Sequence, residues 1–508
     1  MVGTKGIHTA SLSAVLLCVC FSSYSLPVFP GAQGFASDIT GGRGGKIITV
    51  TNLNDGGPGS FHDAVSQSGK RIVVFEVGGV VKTGKNVSIK NGDLTVAGET
   101  APYPGFTLCG PELNINGKNI LIRHIAIRVG REYCEPEKGS EKDAVNMFNG
   151  AQNVYLDHLS CCWANDETMS LQTSGNCNNV TWHNCIIAEG MLRGNHWKGA
   201  HNMGSVIGKT NKNISIIGCL YSTLGARNPL IRGGASCVLV NSLIYNCKNF
   251  GTTCEEAGAN VVASLVGNVY KAGPACALRT SGHPDHKLGW INYATGGGSK
   301  IYFKDCRSIP YEGKDYMVSA PPSNSAVQEP GQAVWPDNIS VKPSSEVHDL
   351  VVANVGMRPA NREGVDQRLI DNVVNQEGNL ITNETDPQVG GYPRYEMTKH
   401  TLDIPANPNG DDDNDGYTNV EEWLHERAAA ISTGAVPARH GFATSHRVAA
   451  HARAAETNLK RICIGHKAPS RNTRTTYYSL RGSLISNPSI YLSGVLIEKN
   501  HSGASHMK

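Results

Sequence analysis

The chain has 508 residues, 18% of them charged, and a formal net charge of +3. The excess is unevenly placed: from His425 onward twelve Lys and Arg face three Glu, which leaves residues 1–424 at net −6. A mildly acidic body excludes a global basic field for nucleic acid, and no apolar run is long enough to span a bilayer, so any polyanionic ligand must be met by local cations.

In chain order, Lys5 precedes an apolar run from Ser11 to Phe21, and Ser23-Tyr24-Ser25 follows as a small-x-small cleavage site. This predicts a secretory signal over residues 1–25 and a secreted, soluble chain from Leu26. Of fifteen cysteines, Cys18 and Cys20 leave with the signal, twelve lie between Cys109 and Cys306, and Cys463 stands apart. An oxidising compartment favours disulfides over thiolate metal sites, with the pairing left open. Six N-x-S/T triplets, at Asn86, Asn179, Asn213, Asn338, Asn383 and Asn500, are compatible with glycosylation.

Lys46 to Thr51 and Arg71 to Phe75 read as strands, with a short helix from Phe61 to Val65 between them and Ser60 as its N-cap. The glycines of Gly41-Gly42-Arg43-Gly44-Gly45 read as turn residues, since no Walker lysine-hydroxyl pair follows. Beyond them a short apolar strand recurs, often just after an asparagine: Asn119, Asn153, Asn179 and Asn213 are followed by Ile120, Val154, Val180 and Ile214, and the series continues at Cys237 and Asn260. The base period lies in the low twenties with insertions, which is the mark of stacked coils. An antiparallel sandwich would show hairpin dipeptides at shorter spacing. The expected fold is therefore all-β: a right-handed parallel β-helix over residues 26–400, closed by an N-terminal cap that covers its first edge. Asparagine amides can stack in ladders along such coils.

Four patterns carry chemistry. Asp143 and the Asp166-Glu167 pair fall on neighbouring coils, and oxygen clusters of this kind suit a hard cation, Ca²⁺ above all. His196-Trp197-Lys198-Gly199-Ala200-His201 follows. Arg227-Asn228-Pro229-Leu230-Ile231-Arg232 closes the series with two guanidiniums around a proline that breaks regular pairing. Guanidinium matches carboxylate in a bidentate fork.

With RNPLIR, VYLDH, the opening FPGAQGF, the GGRGGKIITVTNLNDGGPGS segment and DHLSCCWANDE, the chain resembles polysaccharide lyase family 1, the pectate lyases, from about Phe29 to residue 424. The resemblance is to its fungal-type secreted members. It implies calcium-dependent β-elimination in α-1,4-polygalacturonate, with Ca²⁺ as cofactor. It carries the base onto Arg227 and substrate binding onto Arg232. It carries calcium ligation onto Asp143 and Asp166, with Ser170 at a third ligand position that the family fills with an acid, and with Glu167 able to compensate. The family's substrate lysine falls near Met203, so Lys198 is expected to substitute, with His201 nearby. The implied partner is pectin or polygalacturonate, met by a monomer away from nucleic acid and membrane. A pectin lyase and a non-catalytic carbohydrate-binding β-helix are the alternatives. A polygalacturonase is disfavoured, because NTD and GHG are missing from the sequence.

Residues 401–424 hold a second calcium motif, legible without any family. Asp411, Asp413, Asp415, Tyr417 (through its carbonyl), Asn419 and Glu422 occupy positions 1, 3, 5, 7, 9 and 12 of an EF-hand-type loop, with Gly416 at the turn. Pro405 and Pro408 exclude an entering helix, whereas Val420 to Leu424 can start an exiting one. Residues 425–508 are basic, without period, and read as a disordered or spurious tail.

Overall fold

The computed structural model describes residues 26–110, 112–132, 141–249, 251–256, 258–277, 298–314 and 334–434, together with four short strands beyond residue 475. The leader over 1–25, Cys134, Cys463 and Asn500 lie outside the described residues. No helix among the described residues is long and apolar enough to cross a membrane.

Strands wind through three sheets in turn, one strand of each per coil. The first sheet stacks ten, among them Lys118–Arg123, Gln152–Asp157, Asn178–His183, Lys212–Ile217 and Ser236–Val240, each parallel to the next. The second has seven, and the third ten. This is the expected parallel β-helix, and its asparagine period marks the entry to the first sheet. Asn119, Asn153, Asn179 and Asn213 all adopt φ between 53° and 59°, a left-handed corner that Asn tolerates better than other side chains. Their amides form a ladder: Asn213 Nδ2 donates to Asn179 Oδ1 and Asn179 Nδ2 to Asn153 Oδ1, both at 3.1 Å.

At the surface, Asn86 donates to Glu112 and Asn338 to Ser37 in the same way.

The cap forms as the sequence predicts. Ser60 Oγ accepts the Asp63 N–H at 3.1 Å at the start of helix Phe61–Ser66, and Phe61 packs with Phe75 and Phe106 over the end of the core. Gly42 is required by close approach, since a Cβ there would lie 1.9 Å from the Arg71 carbonyl oxygen. Between these glycines Arg43 reaches Glu421 at 2.8 Å, tying the first turn to the last helix.

That helix runs Asn419–Thr433, so the boundary placed at 424 is corrected: it falls inside an element whose Val420, Trp423 and Leu424 pack on Ile72, Val74 and Ala97. Two further helices, Ser344–Asn354 and Gly364–Asn375, cover the outer face of the third sheet. Buried Arg128 fixes the second one, 2.8 Å from Asp366 and 3.0 Å from Glu363. As a separate unit, Thr476–Tyr478, Leu484–Ile485, Ile497–Lys499 and Ser505–Met507 pair antiparallel.

The disulfide expectation is corrected for nine of the described cysteines. Cys109, Cys161, Cys162, Cys177, Cys185, Cys219, Cys237 and Cys254 are buried free thiols, and Cys306 is a partly buried one. Most point into the coil core, where cysteine acts as a small apolar filler. Burial pushes the thiols of Cys162, Cys177 and Cys254 up to about 12, which makes them unreactive. Denaturant without reductant should expose at least these eight buried thiols to a colorimetric reagent; fewer would mean that some are paired.

Candidate active site

The connection from the third sheet to the second varies most in length. In four successive coils it comprises residues 129–144, 163–168, 189–205 and 223–229. These segments carry Asp143, then Asp166 and Glu167, then Lys198 and His201, then Arg227. Stacking coils at about 4.8 Å places one segment's chemistry above the next. The second sheet supplies the floor, with Asn146 directly in register with Ser170. Asp143, Asp166, Glu167, Ser170, Lys198, Arg227 and Arg232 all line one cleft of about 530 Å³.

Ligand oxygens of Asp143, Asp166 and Glu167 lie within 4.8 Å of one another. Asp143 accepts the Glu167 N–H at 3.0 Å and the Ser170 hydroxyl. Burial, with the charges of Asp166 and Glu112, pushes Asp143 well above the ordinary carboxylate range. A raised carboxyl among other acids is one that a hard divalent cation would relieve, so the residues present fit Ca²⁺.

Asp166 behaves in the opposite way. Burial works against its charge, yet His201 Nε2, 2.6 Å from Oδ1, holds it below the usual range, helped by the charge of His196. The His196 and His201 rings stack with centroids 4.0 Å apart. His201, expected as a substrate contact, is only 5% exposed and lies against Asp166, an acid of the cleft lining. Lys198 does reach the cleft, and Met203 lies on the line from Glu167 to Ala226 as an isolated rung.

Arg227 donates to Glu167, so this acid serves a guanidinium as well as the carboxylate cluster. Its φ of 62° is unusual for a long side chain, and such outliers gather at functional sites. Burial lowers its pKa and Arg232 adds to this, while Asp166 acts against it. Arg232 ends strand Leu230–Arg232, with Nε 3.3 Å from Glu255 Oε2 one coil on.

In the second loop, Asp411, Asp413 and Asp415 converge within 4.8 Å. Burial and those three charges raise Glu422 to about 7. Tyr417 packs its ring edge-on against His425. Asn419 accepts the Asp412 N–H at 3.1 Å and donates to the Asn407 carbonyl at 2.8 Å, so its side chain staples the loop closed.

Sequence reasoning passes over Asn146, Glu141 and Glu255 in the cleft lining, and over Glu112, whose Oε1 accepts the Asn146 amide at 2.7 Å. Register held the signal for Glu255, which stands 23 residues, one coil, beyond Arg232.

No family model matches the chain. Among curated proteins it is 31% identical over 435 residues to a probable pectate lyase C of Aspergillus terreus, covering 81% of this chain and 96% of that one. It is 31% identical over 436 residues to a probable pectate lyase C of Aspergillus flavus, covering 82% and 97%. Pectate lyase 3 of Ambrosia artemisiifolia is 27% identical over 173 residues, 31% of this chain and 43% of that one. Among solved structures, the cedar pollen allergen jun a 1 superposes with a TM-score of 0.47 at 16% identity, over 63% of this chain and 90% of that one. With two relatives at 31% identity along nearly their whole length, the chain belongs to the pectate lyases, the polysaccharide lyases that its RNPLIR and VYLDH motifs resemble.

Proposed function

We propose that the cleft cleaves α-1,4-polygalacturonate by calcium-dependent β-elimination, and that the leader over 1–25 sends the enzyme out of the cell. One observation carries the reading: three carboxylates and two arginines from successive coils converge on a single cleft. Asp143, Asp166 and Glu167 would hold Ca²⁺, with Ser170 as a neutral fourth oxygen. Bound there, the ion would supply positive charge that makes the C5 proton of an adjacent uronate more acidic.

Arg232 presents a guanidinium to a uronate carboxylate, in exchange for its exposed contact with Glu255. Arg227 accepts the C5 proton. The electron pair forms the C4–C5 double bond, the C4–O bond breaks, and the departing oxygen takes a proton from water. A guanidinium normally stays protonated, so its burial beside Arg232, which lowers its pKa, supports this role. Once protonated it stabilises the negative charge left on the substrate.

A pectin lyase acting on methyl-esterified polymer is the second reading, but it gives the buried acids no task. Charged contacts to free carboxylates predict a rate on polygalacturonate at least about tenfold above that on highly esterified pectin. The reverse preference would select the pectin lyase reading.

A further inference from the structure

Trp197 stands out beside the cleft. It is 63% exposed, although the segment that carries it is firmly anchored. Met191 donates to the Ala164 carbonyl at 2.8 Å, Leu192 to Ile381 at 3.0 Å, and Asn165 Nδ2 to the Gly194 carbonyl at 2.8 Å. A tight turn then closes with the Gly199 N–H on the His196 carbonyl at 2.9 Å, which puts Trp197 and Lys198 at its tip. The indole is oriented as well: Nε1 donates to Glu141, a residue of the cleft lining, and the ring lies 22° from the plane of buried His196. The Lys198 ammonium sits 4.8 Å from the ring centroid.

A large aromatic surface held in water with its polar edge satisfied gains little for the fold, and it loses little freedom when something docks on it. The apolar face of a pyranose is such a partner, and a uronate would place its carboxylate within the field of Lys198. We propose that Trp197 is a stacking platform for one galacturonate unit of the polymer at the rim of the cleft, a binding subsite apart from the reacting bond, with Lys198 meeting that unit's carboxylate. This rests on the polygalacturonate reading. It also accounts for the lysine's place on this loop, beside an aromatic ring and away from the floor near Met203.

Binding energy from a remote unit appears first in KM. Trp197→Ala is expected to raise KM on polygalacturonate about tenfold, as for an aromatic contact residue, with kcat within about twofold. The effect should vanish on the shortest oligogalacturonides that are still cleaved, and Trp197→Phe should restore most of it. In an Arg227→Lys background, polygalacturonate should change tryptophan fluorescence, and adding Trp197→Phe should remove that change. An unaltered KM, or an equal loss on short and long substrates, would overturn the platform and leave Trp197 a loop anchor. A fluorescence response in a chain whose wild type forms no unsaturated product would keep the platform and overturn the elimination reading. Absence of both signals would overturn the two together.

Discussion

Arg227→Lys should lose about 10²–10³ in kcat while its melting temperature stays within about 2 °C of wild type. Lysine keeps the charge, so Glu167 retains a cationic partner and the buried acids stay compensated. What is lost is the fork and its reach: one N–H engages Glu167 while the rest of the planar group faces the cleft. The rate should climb toward alkaline pH, because a guanidinium must lose a proton to act as base, and burial and the charge of Arg232 bring Arg227 down from its ordinary range. Asp143 pushes the profile the same way, since its raised carboxyl must ionise before a cation can be held. Turnover near wild type in Arg227→Lys, or a maximum below about pH 5, would remove Arg227 as the base.

The two acidic clusters should separate under mutation. Asp166→Ala removes a partly exposed oxygen at the cleft, and activity is expected to fall about a hundredfold at fixed calcium. The melting temperature should change little, because His201 and His196 remain stacked on each other. Glu422→Ala acts on the fold. Its loop sets the start of helix Asn419–Thr433, where Thr418 and Glu421 form a reciprocal cap and Val420, Trp423 and Leu424 cover the first sheet. Calcium at a hundredfold excess over Kd would add about 2.7 kcal/mol, a few degrees of melting temperature, and Glu422→Ala should abolish that increment while leaving kcat intact.

The same loop predicts a pH signature. The carboxyl of Glu422 is raised to about 7, above its unfolded value. Its contribution is therefore fully present below the unfolded pKa and is lost as pH rises through about 7. Calcium-free enzyme should lose stability across that window, and either calcium or Glu422→Gln should flatten the slope. A melting temperature indifferent to calcium at every pH would show that the loop holds no ion.

Local rules made much of this molecule legible. The asparagine period located the first sheet because a left-handed corner once per coil admits few residues other than Asn and Gly. The Ser60 cap and the acids at 143, 166 and 167 were readable because each depends on nearby sequence or on a single step of the coil. What escaped depends on distant neighbours. The apolar stripe of Val365, Leu369, Ile370 and Val373 has meaning only against Leu220, Leu243 and the rest of the third sheet's outer face. The pairing of His201 with Asp166 was not legible, because proximity in sequence to Lys198 gives no direction, and the tight turn at 196–199 separates the two side chains. The eight buried thiols were misjudged because a rule about compartment competes with packing, and inside a narrow coil a thiol fills space as an apolar group.

The most direct test is ultraviolet absorbance of the 4,5-unsaturated product on polygalacturonate, followed before and after a calcium chelator and again after calcium is restored. Absorbance that rises with the cleavage of chain ends, stops on chelation and resumes with calcium is the predicted result. New reducing ends without ultraviolet product, or product formation that continues undiminished under chelation, would contradict calcium-dependent elimination at this cleft.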